Sequence, residues 1–166
     1  MTPQRPRQYW LLKSEPNVYS IDDLFAEPGG TTPWDSIRNY QARNFLRDSM
    51  AVGDYVLFYH SNAKPPGVAG LAQVASKSYP DPTQFDPDHK YFDPGSDPKN
   101  PRWMLVDVAP LDRLPRFLPL DELKANPELA DMALGQKGSR LSVQPVSRVE
   151  WQEVLSMAGY VGKARR

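Results

Sequence analysis

The sequence predicts an α+β domain built on a curled sheet or small barrel of about five or six strands, with short flanking helices. Three observations carry this reading. Runs rich in β-branched and aromatic residues recur along the chain, at residues 9–12, 55–60, 68–74 and 103–108. Brief helix signals with their own caps lie between and after them. The chain has 166 residues, 40% hydrophobic and 11% aromatic, which is a globular composition with enough length to bury a core without a staple.

The elements follow in order. Residues 8–13 read as a short buried strand, ended by Ser14-Glu15-Pro16. Ser20 is placed as the N-cap of a short helix, with Asp22 and Asp23 in a first turn where acids suit the helix dipole. Residues 39–50 carry apolar side chains at 42, 45, 46 and 50, close to helical spacing. Gly53 and Asp54 turn the chain into a strand over residues 55–60, and after Pro65-Pro66-Gly67 the next strand covers 68–74. Residues 80–101 differ in kind. Six of these 22 residues are proline, and Asp-Pro occurs at 81, 86, 93 and 97. Proline removes backbone donors and Asp-Pro favours turns, so a long loop is expected. A strand resumes over 103–108 and extends past Pro110 through 111–114. Asn126-Pro127 fits a cap followed by proline at the first helical position. Residues 141–143 give a short strand. Ser147 and Glu150 form a capping box, followed by Trp151, Val154, Leu155 and Ala158 at i, i+3, i+4 and i+7.

Composition excludes several functions. With no cysteine, disulfides, thiol nucleophiles and Cys-ligated zinc are ruled out. Lys+Arg and Asp+Glu number 20 each, which argues against a non-specific nucleic-acid coat, because that binding runs on phosphate neutralisation. The balance conceals a pattern: residues 80–100 hold five acids and two bases, and 137–166 hold six bases and two acids. The apolar run at 9–12 is too short for a signal-peptide core or a span, so a cytoplasmic protein with no membrane partner is expected. No phosphate loop, Rossmann fingerprint or metal-ligand spacing is present, so no cofactor and no metal are expected. The acids of 80–101 lack the spacing that wraps calcium, and Asp-Pro turns explain them.

Some residues point to recognition chemistry. His60 and Ser61 end a strand, as a catalytic dyad, as hydrogen-bonding groups at a pocket mouth, or as locally satisfied groups. No Gly-x-Ser-x-Gly elbow supports the first. Trp34, on a turn after Thr-Thr-Pro, is either a core plug or a stacking surface for a flat ligand. Asn39, Arg43 and Arg47 share one helix face, either solvated or turned to an anionic partner. Asn39 itself is either a cap or a reader of a base edge. The segment Gly138-Ser139-Arg140-Leu141-Ser142 either offers amides, hydroxyls and one charge to an anion or makes a plain turn into a strand. Three function classes result: a non-enzymatic nucleobase reader, a hydrolase or nucleobase-processing enzyme using His60 and Ser61, and a small-molecule sensor or protein-docking domain using the Asp-Pro loop.

Longer motifs narrow the choice. Tyr9-Trp10-Leu11-Leu12-Lys13-Ser14-Glu15-Pro16, Thr32-Pro33-Trp34-Asp35 and Arg38-Asn39-Tyr40-Gln41-Ala42-Arg43-Asn44-Phe45-Leu46 resemble the EVE domain family. So do Phe58-Tyr59-His60-Ser61-Asn62, Gly67-Val68-Ala69-Gly70, Tyr79-Pro80-Asp81-Pro82 and Ser139-Arg140-Leu141-Ser142-Val143-Gln144-Pro145-Val146. The resemblance runs over residues 8–158 as a single domain, leaving 1–7 and 161–166 as loose basic ends. It implies a PUA-like curled β-barrel, related to YTH domains, that is not an enzyme and reads a modified base, a modified cytosine in DNA before RNA. The implied base pocket draws on Lys13, Ser14, Trp34, Asn39, Tyr59, His60, Ser61, Leu141 and Ser142. Lys13, Arg43, Ser139 and Arg140 are the implied phosphate contacts.

Overall fold

A computed structural model describes residues 5–135 and 141–165. Its strands are β1 (Tyr9–Ser14), β2 (Thr32–Pro33), β3 (Tyr55–His60), β4 (Gly67–Val74), β5 (Tyr79–Pro80), β6 (Met104–Leu105), β7 (Asp107–Pro119) and β8 (Val143–Val146). Six of them form a curled half-barrel in the order β2-β7-β4-β3-β1-β8, and β5 and β6 pair as a separate ribbon. The helices are α1 (Ile21–Phe25), α2 (Tyr40–Asn44), α3 (Leu120–Ala125) and α4 (Arg148–Met157).

The centre of the sheet explains the unbroken apolar runs. β1 lies parallel to β3, with Tyr9 opposite Tyr55 and Ser14 opposite His60. A parallel pair needs a crossover, and residues 15–54 supply it with α1, β2 and α2. Both faces of this pair are covered. Tyr9, Leu11, Leu57 and Tyr59 pack with Trp151, Val154 and Leu155 of α4. Trp10, Leu12, Val56 and Phe58 pack with Ile21, Leu24, Trp34, Ala42 and Leu46 from the crossover. Strands buried on both faces show no polar alternation.

Several elements differ from the sequence expectation for identifiable reasons. The helix over 39–50 is α2 followed by a π turn, Phe45–Ser49, so Asn39 is the cap but the α-helical run is short. The strand expected at 141–143 starts at Val143 and runs through Pro145. β8 is an edge strand, where a proline costs no ladder bond. Asn126 caps a 3-10 turn, Pro127–Leu129, instead of an α-helix. β2 and α3 carry no strong local signal; β2 exists because Thr32 and Pro33 pair with Val108 and Asp107.

The Asp-Pro segment is a folded unit with its own hydrogen bonding. Each of the four aspartates accepts from the backbone N–H two residues on: Asp81 from Thr83 at 2.8 Å, Asp86 from Asp88 at 3.0 Å, Asp93 from Gly95 at 2.9 Å and Asp97 from Lys99 at 2.9 Å. Because the intervening proline has no N–H, the next donor along is the one the carboxylate takes. Gln84 is fully buried and ties the segment shut. It donates to the carbonyls of Asp81 and Trp103 and accepts from Ser96 and the Trp103 N–H.

Candidate functional site

The parallel pairing of β1 and β3 brings Ser14 and His60 together at one end of the sheet. The Ser61 N–H donates to the Ser14 carbonyl at 2.9 Å, and Ser14 Oγ donates to the Tyr19 carbonyl at 2.5 Å. α1 begins above this end, where the Ile21 N–H donates to His60 Nε2 at 3.1 Å. The approach is close because Gly70 lies beneath: a Cβ there would stand 2.6 Å from Ile21 Cγ1. Trp34 covers the same face. Its ring meets Tyr19 edge-on at 6.4 Å and Phe58 at 5.5 Å, while His60 meets Phe58 at 5.7 Å.

Trp34 is only 8% exposed, so it is a core plug in most of its surface. Its indole N–H has no hydrogen-bond partner among the described residues. No fully buried side-chain nitrogen or oxygen there lacks one, so the indole nitrogen is not fully shielded from solvent. Of the two roles expected for Trp34, the packing shows the core plug. Tyr19 completes the aromatic corner, and burial together with its bond to Glu27 pushes its phenol up to about 12.

Strand alternation divides the other expected residues. Lys13 and Tyr59 are one residue out of phase with Ser14 and His60 and sit on the opposite face, Lys13 Nζ lying 5.8 Å from the Tyr59 ring centre. Burial holds the Lys13 ammonium below its usual value, and no carboxylate pairs with it among the described residues. Leu141 packs against the core that contains Trp34, and the Ser142 carbonyl accepts from the Lys13 N–H at 2.9 Å. Ser139 and Arg140 lie outside the described residues. Asn39 Oδ1 accepts from the Ala42 N–H at 3.0 Å, which is capping. Arg43 points elsewhere, donating to the Arg102 carbonyl at 2.8 Å beside the Asp-Pro segment.

Sequence reasoning missed Tyr19 and Phe58 as parts of the rim. The one local signal for Tyr19 was its place directly before the Ser20 cap, where the chain must turn onto the sheet. No hydrogen bond joins His60 to Ser61 among the described residues, and the Nε2 lone pair a general base would use is committed to Ile21. A cleft of about 730 Å³ lies at the far end of β1, between residues 6–10 and 145–148.

The His60 bond makes this corner pH-sensitive. Burial holds the imidazole below its ordinary 6.5, and Asp22 partly opposes that. The unfolded chain thus takes up a proton more readily than the folded one. Stability is full above about 6.5 and falls as pH drops from there toward the lower folded value. Urea midpoints measured from pH 7.5 to 5.5 should decline less steeply in His60→Gln than in the wild type. Parallel declines would show that His60 is not the group responsible.

A curled half-barrel with a polar, aromatic-edged rim at one strand end defines a PUA-like domain. Residues 8–157 match the EVE domain family, and the chain belongs to it. Human thymocyte nuclear protein 1 is 44% identical, over 90% of this chain and 73% of its own length. The crystal structure of that human protein in complex with 5-methylcytosine-containing DNA superposes with a TM-score of 0.86 at 43% identity, covering 93% of this chain and 99% of that one. A hypothetical protein from Leishmania major is 51% identical with a TM-score of 0.86, covering 93% and 96%. The YTH domain of Zygosaccharomyces rouxii MRB1 in complex with N6-methyladenosine RNA shares the fold alone, at 15% identity and a TM-score of 0.53. No described helix is long and apolar enough to cross a membrane.

Proposed function

We propose that this protein is a nucleic-acid reader that takes an extruded, modified base, a modified cytosine in DNA, against the indole edge of Trp34. The observation that carries this is an indole nitrogen still within reach of solvent on an otherwise buried ring, packed on Phe58 on the sheet face that Ser14 and His60 share. The human relative crystallised with 5-methylcytosine DNA supports the choice of base. A full face-on stack of one base contributes about 1–3 kcal/mol, so contact with one edge contributes less, and extrusion costs a few kcal/mol, least where the base is unpaired. Single-stranded or mispaired sites are therefore favoured. Lys13, half-buried with no carboxylate partner, supplies a cation for a neighbouring phosphate. Ser139 and Arg140 extend that role from the segment leading to β8.

The test is a binding panel of single-stranded oligonucleotides, each with one modified base against its plain control. The 5-methylcytosine strand should bind at least several-fold tighter than the cytosine strand. Equal affinities across the whole panel would refute the reading. Turnover of any panel member, lost in His60→Ala, would instead make the protein an enzyme.

A further inference from the structure

We propose that the cleft between α2 and residues 95–102 is a second subsite of the nucleic-acid interface, one that grips the phosphodiester backbone without reading sequence. This rests on the reading above for its partner, but its own evidence is separate. The cleft has a volume of about 330 Å³ and is bounded by Tyr40, Arg43 and Arg47 on one side and by the Asp-Pro segment, with Asp97 and Arg102, on the other. Three guanidinium groups thus line the cleft with one carboxylate, Asp97, while Asp93 and Asp48, outside the lining, pair with Arg102 and Arg47. Asp97 already uses one oxygen on the Lys99 N–H.

Two of the three cations are fixed in place. Arg43 is held by the Arg102 carbonyl at 2.8 Å and Asn44 Oδ1 at 2.9 Å, with its guanidinium 5.0 Å from the Tyr40 ring centre. Arg102 is held by Asp93 at 3.0 Å and by the Gly95 carbonyl at 3.0 Å. Both terminal nitrogens of Arg102 are engaged, whereas Arg43 keeps Nη2 for a phosphate oxygen, and a guanidinium ordered in this way loses little freedom on binding. Arg47 is exposed, and its strongest contacts are with its neighbour Asp48, so it can swing onto a ligand. Tyr40 is 54% exposed yet rigid, stacked on Trp103 at 5.0 Å. Tyr40 is six positions along from Trp34, a span of at most about 22 Å. A strand whose extruded base meets Trp34 can therefore lay its flanking backbone in this cleft.

The experiment measures the salt dependence of binding to a plain single-stranded oligonucleotide and to its 5-methylcytosine counterpart. Arg47→Gln should lower the slope of log affinity against log salt by about 0.7, the value for one phosphate contact on a single strand. The fall should be the same on both strands, with the preference between them unchanged. Arg148→Gln, an exposed arginine beside the far cleft, should leave the slope alone. An unchanged slope in both Arg47→Gln and Arg47→Glu overturns the assignment, as does an equal fall in Arg148→Gln. A protein that prefers the modified strand while Arg47→Gln keeps the full slope has lost only this subsite. A protein with the expected slope change and no preference has lost only the base-reading function.

Discussion

Trp34→Ala is expected to cost about 3–5 kcal/mol of folding stability, in the range for emptying a large buried aromatic site. The ring fills the space between Tyr19, Phe58 and the crossover core, and its removal leaves those edges without contacts. Loss of oligonucleotide binding in this variant would therefore say little about recognition. Trp34→Phe is the informative change, because it keeps an aromatic ring near Phe58 while removing the indole edge and its N–H. Thermal and urea unfolding should show a much smaller loss for Phe than for Ala. The preference for a modified base should nevertheless fall in Trp34→Phe. An alanine variant with wild-type midpoints would mean that the ring does not support the core.

The second large effect belongs to Asp81→Asn, also expected to cost about 3–5 kcal/mol, as when a buried ion pair loses one member. Asp81 is fully buried and Arg38 sits 3.1 Å from its Oδ2. The same oxygen accepts from the Ser36 N–H at 2.7 Å, and the other from the Thr83 hydroxyl at 2.6 Å. An asparagine keeps the shape but turns an NH₂ toward one of these sets of donors. Burial alone would raise this carboxyl, yet the bonds from Thr83, Ser36 and Arg38 more than offset it and hold the group below its usual range. Its stabilising effect is thus present above the unfolded carboxylate pKa and is lost as pH falls through the lower folded value. Denaturant titrations at neutral pH and under acid conditions test both statements. A neutral-pH loss under about 1 kcal/mol, the worth of an exposed pair, would show that the clamp is dispensable.

The legible part of this molecule was its local chemistry. Capping at Ser20, Asn39 and Ser147, the turns at all four Asp-Pro steps and the strands around Trp10 and Leu57 each follow from a few adjacent residues. What the sequence did not show depends on partners far along the chain. β2 forms only because β7 passes beside it, and Tyr19 joins the rim only because the crossover returns over β3. The split of Lys13 from Ser14 follows from strand alternation, but it becomes visible only when Tyr59 and His60 are seen opposite them. The Asp-Pro segment, for which docking was one expected role, is held together by internal bonds. One of them, Asp81 to Ser36, holds the turn after Trp34 at a positive φ of 67°.

The first strand is placed between β3 and β8, with Tyr9 beside both Tyr55 and Val146. During synthesis β1 can dock on β3 once the crossover is complete, but its other edge stays open until residues 143–146 have emerged. Pairing of β1 with β8 closes a loop of more than a hundred residues, whose entropic cost local contacts do not carry. Until then the strand that carries Ser14 offers an unpaired hydrogen-bonding edge to any neighbour. Covering that edge of the strand carrying Ser14 thus depends on residues 143–146, far along the chain from β1.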